Sequence, residues 1–195
     1  MPLTPRVLIV PGLHNSGPAH WQTWLERQLR GAKRVTQRRF DEPDLARWSE
    51  RIGSVLAAED PTQPWLAVAH SFGVLALAQH LAQQPQSPIR AALLVAPADP
   101  DRFGLAEALP QHRLGRPLTL VSSDNDPWMR PDSAQRWAQR WGAHTHALGR
   151  VGHINSESGF GPFPLALRWV EQARQQAARD ARPQHAAWQE WSFAI

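Results

Sequence analysis

The sequence lacks several features, and each absence excludes a class of protein. It contains no cysteine, so disulfide bonds and thiolate metal ligands are excluded. No apolar run approaches the length of a membrane span, and no signal-peptide cleavage site follows the brief apolar run from Val7 to Val10. We therefore expect a cytoplasmic protein that neither enters a membrane nor is exported.

The charge of the chain does not point to nucleic acid. The formal net charge is +4, and nearly all of the basic residues are arginines spread along the sequence. No nucleic-acid recognition motif accompanies basic pairs such as Lys33-Arg34 and Arg38-Arg39. A solvated, arginine-rich surface is the simpler interpretation, and no nucleic-acid partner is expected.

A serine stands where the chain changes from the period of a strand to that of a helix. Trp65 to Ala69 is a short apolar run typical of a buried parallel strand, and Val74 to Leu81 has apolar residues at helical spacing. Between them lies A-H-S-F-G, with Ser71 at the change of direction. This resembles the nucleophile elbow G-x-S-x-G, in which small residues flank a strained serine. Ala69 replaces the first glycine of that pattern, Gly73 keeps the second, and an ordinary loop is the alternative.

The first strand is predicted from Arg6 to Val10 and is followed by P-G-L-H-N-S-G-P-A-H-W. A loop of this kind after an early strand is able to aim backbone N–H groups at a developing oxyanion. Gly12 permits a close approach of the backbone, which makes the N–H of Leu13 a candidate donor. The N–H of Phe72, directly after Ser71, is the second candidate, and a plain Gly/Pro turn is the alternative for the loop.

Strands and helices alternate along the chain. The further strands are predicted at Arg34–Phe40, which is polar and suits a sheet edge, and at Ile89–Ala96, Pro117–Ser122 and His144–Leu148. The other helices are predicted at Pro18–Leu29, from Asp44 to Leu56, at Pro131–Trp141 and from Phe163 to Ala178. This alternation predicts a single-domain α/β fold with a mostly parallel, doubly wound sheet of about six strands flanked by helices.

Two segments lie outside this regular pattern. The connection from Pro97 to Arg116 is about twenty residues long, so Phe103 and its apolar neighbours form at most a small flap, a minimal cap over the sheet. The domain is expected to span residues 1–180. The polar tail, residues 181–195, has Trp188, Trp191 and Phe193 as candidate packing anchors and either docks or frays.

Reactive side chains of a parallel sheet collect at the carboxyl ends of its strands. Ser71, then Asp124 or Asp126, then His153 fall at such ends, and the order Ser–Asp–His is typical of α/β-hydrolases. The 27 positions from Asp126 to His153 leave room for one helix and one strand between the two loops. An imidazole takes the proton of an attacking serine hydroxyl, and a carboxylate fixes the tautomer of that imidazole.

Each of these residues also has an alternative, non-catalytic interpretation. Asp126 precedes a proline and suits the start of a turn, and His153 in a glycine-rich loop suits an ordinary surface histidine. Competing bases are His14, His20 and His70. Because His70 directly precedes Ser71, its side chain must point away from the serine, so we expect it to support the turn.

Four segments together resemble the YdeN-like serine hydrolases, the family that includes human retinoblastoma-binding protein nine. They are V-P-G-L-H-N-S-G-P-A-H-W-Q-T-W, A-H-S-F-G, S-D-N-D-P-W and G-H-I-N-S-E-S-G-F-G, and the resemblance runs from Arg6 to Val170. It implies an α/β-hydrolase fold with a minimal cap. It also implies that Ser71, Asp126 and His153 occupy the positions of the family's catalytic triad, which favours Asp126 over Asp124.

These observations predict a serine hydrolase that cleaves small carboxylic esters, or alternatively amides, through an acyl-enzyme. A shallow pocket is expected, with His14 and Trp128 as candidate substrate-binding residues and Phe72 as either a wall or part of the core. No cofactor and no metal are expected, and the sequence leaves the oligomeric state open. The alternative class is a protein-interaction module on the same fold, with an idle triad.

Overall fold

Six parallel strands form one sheet in the computed structural model, which describes residues 3–180. The strands are β1 (Arg6–Val10), β2 (Lys33–Arg34), β3 (Trp65–Ser71), β4 (Ile89–Pro97), β5 (Leu118–Ser122) and β6 (His144–Ala147). The helices are α1 (Trp21–Gln28), α2 (Leu45–Ala57), α3 (Phe72–Gln83), α4 (Pro131–Trp141) and α5 (Pro164–Asp180). The strand order is β2-β1-β3-β4-β5-β6, so β2 and β6 are the edges.

Helices cover both faces of the sheet because successive strand residues point to opposite sides. Leu8 and Val10 of β1 belong to the core shared with α2, α3 and α4, in which Trp48, Ile52 and Trp141 are buried. The intervening residues of β1, Val7 and Ile9, belong to the core shared with α1 and α5; its other members include Trp21, Leu25, Ala166 and Val170. The sheet is therefore doubly wound, as the alternation of elements predicts.

Two elements differ from their predicted bounds by more than two residues. The strand expected at Arg34–Phe40 is only the two residues of β2, because hydrogen bonding to β1 ends after Val35, whose N–H donates to the carbonyl of Ile9 at 2.8 Å. Helix α1 begins at Trp21 and not at Pro18. The reason is His20, whose ring nitrogen Nδ1 accepts the backbone N–H of Gln22 and caps the helix.

The connection between β4 and β5 forms the minimal cap expected from its length. It contains two short 3₁₀ turns, Pro100–Phe103 and Ala106–Ala108, and Leu109 and Leu114 anchor it in the core. No helix within residues 3–180 has both the length and the apolar character that crossing a bilayer requires. The tail predicted at residues 181–195, with its tryptophans, lies outside the described residues.

Candidate active site

Ser71 lies on the turn between β3 and α3, where the backbone changes direction within one residue. It is the last residue of β3, and its φ of 53° and ψ of −125° are strained for a residue with a side chain. The turn is tight because Gly73 faces the end of β1. A Cβ atom at position 73 would lie 2.7 Å from the carbonyl oxygen of Val10 and closer still to that of Pro11. The serine hydroxyl is thereby held at the carboxyl end of the sheet.

A continuous chain of hydrogen bonds joins Ser71, His153 and Asp126. The Oγ atom of Ser71 lies 2.9 Å from Nε2 of His153, and both carboxylate oxygens of Asp126 lie 2.9 Å from Nδ1 of the same ring. The side chains of His153 and Asp126 are 7% and 2% exposed, so water has little access to the bond between them. Ser71 ends β3, and Asp126 and His153 lie in the segments after β5 and β6; because the strands are parallel, all three residues lie on the side of the sheet where the strands end.

Asp126, and not Asp124, is the carboxylate beside the imidazole. The backbone N–H of Trp128 donates to Oδ1 of Asp126 at 2.8 Å and orients the carboxylate toward His153. Asp124 is exposed, and its backbone N–H donates to the carbonyl of Gly149 on the loop after β6. Asp124 therefore takes part in loop packing, whereas Asp126 faces the histidine.

Sequence reasoning missed the polar side chains that hold these two loops. Oδ1 of Asn125 accepts the backbone N–H of Gly152 at 2.9 Å and the hydroxyl of Ser123 at 3.0 Å. The hydroxyl of Ser158 accepts the backbone N–H of His153 at 3.0 Å. The only signal for them in the sequence is their position within S-D-N-D and N-S-E-S-G.

Two buried histidines lie near Ser71, and neither hydrogen-bonds to its hydroxyl. Nε2 of His70 lies 3.0 Å from the carbonyl oxygen of His153, and because a carbonyl only accepts, this nitrogen carries the proton. Burial lowers the pKa of His70 well below its usual value, and the nearby rings of His153 and His20 lower it further. Burial likewise lowers the pKa of His20 to about 4, with Arg34 as a second cause. Both rings are held neutral, and the hydrogen bond from His70 supports the loop that carries His153.

The two candidate oxyanion donors have no competing acceptor. Among residues 3–180, the backbone N–H of Leu13, on the loop after β1, donates no backbone hydrogen bond. Phe72 is the first residue of α3, and a first helical residue has no intrahelical acceptor. The ring of Phe72 is fully buried, with its centroid 5.0 Å from that of Trp48 and 5.3 Å from that of Phe103. This ring is therefore part of the core and does not form a pocket wall.

Ser71 and His153 open into a cavity of about 280 Å³. The apolar part of its wall consists of Leu13, Ala98, Phe103 and Trp128, and the polar part includes His14, Asn155 and Glu157. Trp128 is 46% exposed and His14 is exposed, which places both at the mouth of the cavity. Within residues 3–180, histidine, aspartate and glutamate side chains form no group of three or more that could hold a metal ion.

A parallel, doubly wound sheet with a strained serine at the end of its third strand defines the class of the α/β-hydrolases. A family model described as serine hydrolase matches residues 7–172, and the chain belongs to this serine hydrolase family as a YdeN-like α/β-hydrolase. The resemblance and the fold class predicted from the sequence are thus confirmed. No curated protein sequence matches the chain significantly.

Solved structures resemble the chain over most of its length. A protein from Pectobacterium atrosepticum described as a YdeN-like hydrolase has a TM-score of 0.82 and 37% identity, with 88% of this chain and 92% of that one covered. The ydeN gene product of B. subtilis has a TM-score of 0.70 and 20% identity, over 89% of this chain and 100% of that one. Est1E of Butyrivibrio proteoclasticus, solved with bound ferulic acid, has a TM-score of 0.65 and 12% identity, over 92% and 90% of the two chains.

Proposed function

We propose that this serine hydrolase cleaves small carboxylic esters through an acyl-enzyme formed on Ser71. The observation that carries the proposal is the continuous chain of hydrogen bonds from Asp126 through His153 to Ser71, with 2.9 Å between the atoms of each bond. A serine hydroxyl becomes an effective nucleophile only when a base takes its proton, and this chain supplies that base. Esters are preferred to amides because an alcohol leaves more readily than an amine.

The reaction proceeds in two halves. Oγ of Ser71 bonds to the carbonyl carbon of the ester while Nε2 of His153 takes the hydroxyl proton, and His153 then gives that proton to the departing alcohol oxygen. In the second half, His153 takes a proton from water, whose oxygen bonds to the acyl carbon. His153 then returns that proton to Oγ of Ser71 as the bond between Oγ and the acyl carbon breaks, which releases the carboxylic acid and restores the free serine. Asp126 accepts the Nδ1–H and stabilises the imidazolium that forms in each half.

The negative oxygen of each tetrahedral intermediate is assigned to the backbone N–H groups of Leu13 and Phe72. Both are unpaired within residues 3–180, and donors left free for a developing charge supply a large part of the catalysis in this class of reaction. The cavity of about 280 Å³ lies at the lower end of the range for ligand sites, which supports a short acyl group. Its apolar wall at Ala98 and Phe103 suits an alkyl chain.

A fluorophosphonate probe tests the nucleophile. We expect the wild-type protein to be labelled and Ser71→Ala to remain unlabelled, while Ser156→Ala, which changes a second serine in the wall of the same cavity, is labelled as wild type. Hydrolysis of p-nitrophenyl esters from acetate to decanoate then tests the substrate class, with kcat/KM expected to peak at short chains.

The alternative, an interaction module with an idle triad, makes the opposite prediction. It predicts slow or absent turnover of short p-nitrophenyl esters by the wild type despite an intact triad, and a binding partner that Ser71→Ala retains. Absence of labelling in a folded wild-type protein would overturn our proposal. Cytoplasmic location and the absence of a nucleic-acid partner stay predictions from the sequence.

A further inference from the structure

Gln22 is a buried polar side chain in which both the nitrogen and the oxygen have hydrogen-bond partners. It is the second residue of α1 and is 0% exposed. Its Nε2 donates to the carbonyl oxygens of Val10, at 3.1 Å, and Val68, at 3.0 Å, and its Oε1 accepts the hydroxyl of Ser16 at 2.6 Å. An apolar side chain would fill this buried site without needing hydrogen-bond partners. Packing alone therefore does not account for the amide, whose role lies in the hydrogen bonds that it makes.

The three partners of this amide belong to the two segments that carry the proposed oxyanion donors. Val10 is the last residue of β1 and lies three positions before Leu13, while Ser16 lies three positions after it. Val68 belongs to β3 and lies four positions before Phe72. One side chain therefore contacts the donor loop on both sides of Leu13 and the strand that leads to Phe72.

The bonds of Gln22 join neighbouring strands shortly before both leave the sheet. Strands β1 and β3 are parallel partners, with Val10 paired to Ala69, and no ladder extends beyond that pair. The backbone N–H of Gln22 donates to Nδ1 of His20 at 3.1 Å. This bond fixes the first turn of α1, and it therefore also fixes the backbone from which the Gln22 side chain extends. The amide thus adds a side-chain link between the two strands at the last two pairs of the backbone ladder.

We infer that Gln22 is a positioning residue that sets the separation of the N–H groups of Leu13 and Phe72. The inference rests on the proposed function, because it needs those groups to bind an oxyanion. Donors displaced by a fraction of an ångström still admit a neutral ester but stabilise the charged tetrahedral state less. Gln22 therefore acts on kcat and on the affinity for transition-state analogues, and has little effect on KM.

The test replaces the amide with an apolar side chain of similar length. For Gln22→Met we expect kcat on p-nitrophenyl acetate to fall about 10- to 100-fold while KM changes less than about threefold. An alkyl trifluoromethyl ketone reports on the donors directly. Ser71 Oγ adds to its carbonyl carbon, the hydroxyl proton passes to His153, and the resulting oxyanion lies against the donors, so its Ki should rise in proportion to the fall in kcat.

Two further variants separate positioning from stability. Ser16→Ala removes only the hydroxyl bond to the amide, and we expect smaller but again parallel changes in kcat and Ki. Ser87→Ala removes a buried hydroxyl that lies 3.0 Å from Nε2 of His80. Ser87 comes just before β4 and therefore lies at the side of the sheet where the strands begin, opposite the candidate active site. This control should lower the melting temperature and leave kcat and Ki at wild-type values.

Three results would overturn the inference alone: wild-type kcat and Ki in Gln22→Met, a fall in kcat without a matching rise in Ki, or a Gln22→Met that fails to fold together with a fully active Ser16→Ala. A folded wild-type protein that neither hydrolyses the ester nor binds the ketone is a different result. It would overturn the proposed function and this inference together.

Discussion

Gly12 and Ser71 lie so close together that a Cβ atom at position 12 would be 2.7 Å from the Cβ of Ser71 and 3.3 Å from its Oγ. The first distance is too short for two carbon atoms, so an alanine at this position would displace the serine side chain or the loop. The contact joins the segment after β1 to the turn after β3.

Gly12→Ala is therefore expected to reduce kcat/KM on p-nitrophenyl acetate by at least about tenfold, because the hydroxyl would move away from His153. Gly161→Ala is the matched control, since a Cβ atom there would have no neighbour within 4 Å. Equal activity of the two variants would show that the contact with Ser71 does not constrain the serine.

The two aspartates of S-D-N-D-P-W are expected to differ sharply in importance. Asp126→Asn should lower kcat by about 10³- to 10⁴-fold, because an amide in place of the carboxylate favours the wrong imidazole tautomer. Asp124→Asn should remain close to wild type, because that exposed side chain does not touch His153. Steady-state kinetics on a p-nitrophenyl ester distinguish the two, and comparable losses would argue against the assignment of Asp126.

Phe103 is expected to limit the length of the acyl group. Its ring lines the cavity and packs edge-on against Phe72, so Phe103→Ala should extend the apolar end of the pocket. We expect the ratio of kcat/KM for hexanoate to that for acetate to rise about 5- to 10-fold. Phe160→Ala, which removes a ring packed against Phe163 outside the cavity, should leave the ratio unchanged.

The protein is expected to become less stable as the pH falls, because buried His80 stays neutral while the folded state persists. Burial lowers the pKa of His80 from 6.5 to about 4, so between these values the unfolded chain binds a proton that the folded protein does not. The unfolded state therefore gains stability as the pH falls through this window. For this one group, the free energy of unfolding should be about 2 kcal/mol smaller near pH 5 than near pH 7.5.

Urea denaturation at both pH values checks this, with His80→Gln as the comparison. Glutamine does not titrate and is able to keep a hydrogen bond to Ser87, so the variant should lose about 2 kcal/mol less than the wild type on acidification. If both proteins lose the same amount of stability, His80 does not contribute to the pH dependence.

The sequence was sufficient to predict the strand and the helix that are buried on all sides. Trp65 to Ala69 reads as a buried strand and residues 74–81 as a helix, because the hydrophobic period changes across Ser71. Strand β2 was predicted too long, because a polar edge strand has no such pattern and its length depends on the hydrogen bonds of its neighbour. Helix α1 was predicted to start too early because His20 is not among the usual capping residues.

The meeting of Ser71, Asp126 and His153 was predicted from their order at strand ends, but long-range contacts that no motif marks were not. Nothing in the sequence near Gln22 indicates that its amide meets the carbonyl of Val68, 46 positions further on. The same holds for Asn125 and Gly152, which are 27 positions apart. Such contacts depend on which strands become neighbours and on how each loop leaves the sheet, and residue types alone do not specify either.

Both outer strands of the sheet are poor templates for the strands of another molecule. β2 offers only two residues, and their side chains are held in ion pairs, Lys33 with Glu59 at 2.7 Å and Arg34 with Glu26 at 2.6 Å. β6 offers four residues. An incoming strand would gain few backbone hydrogen bonds at either edge and would have to disrupt paired charges at β2. Concentrated solutions of the folded protein should therefore resist amyloid-like growth from the ends of the sheet.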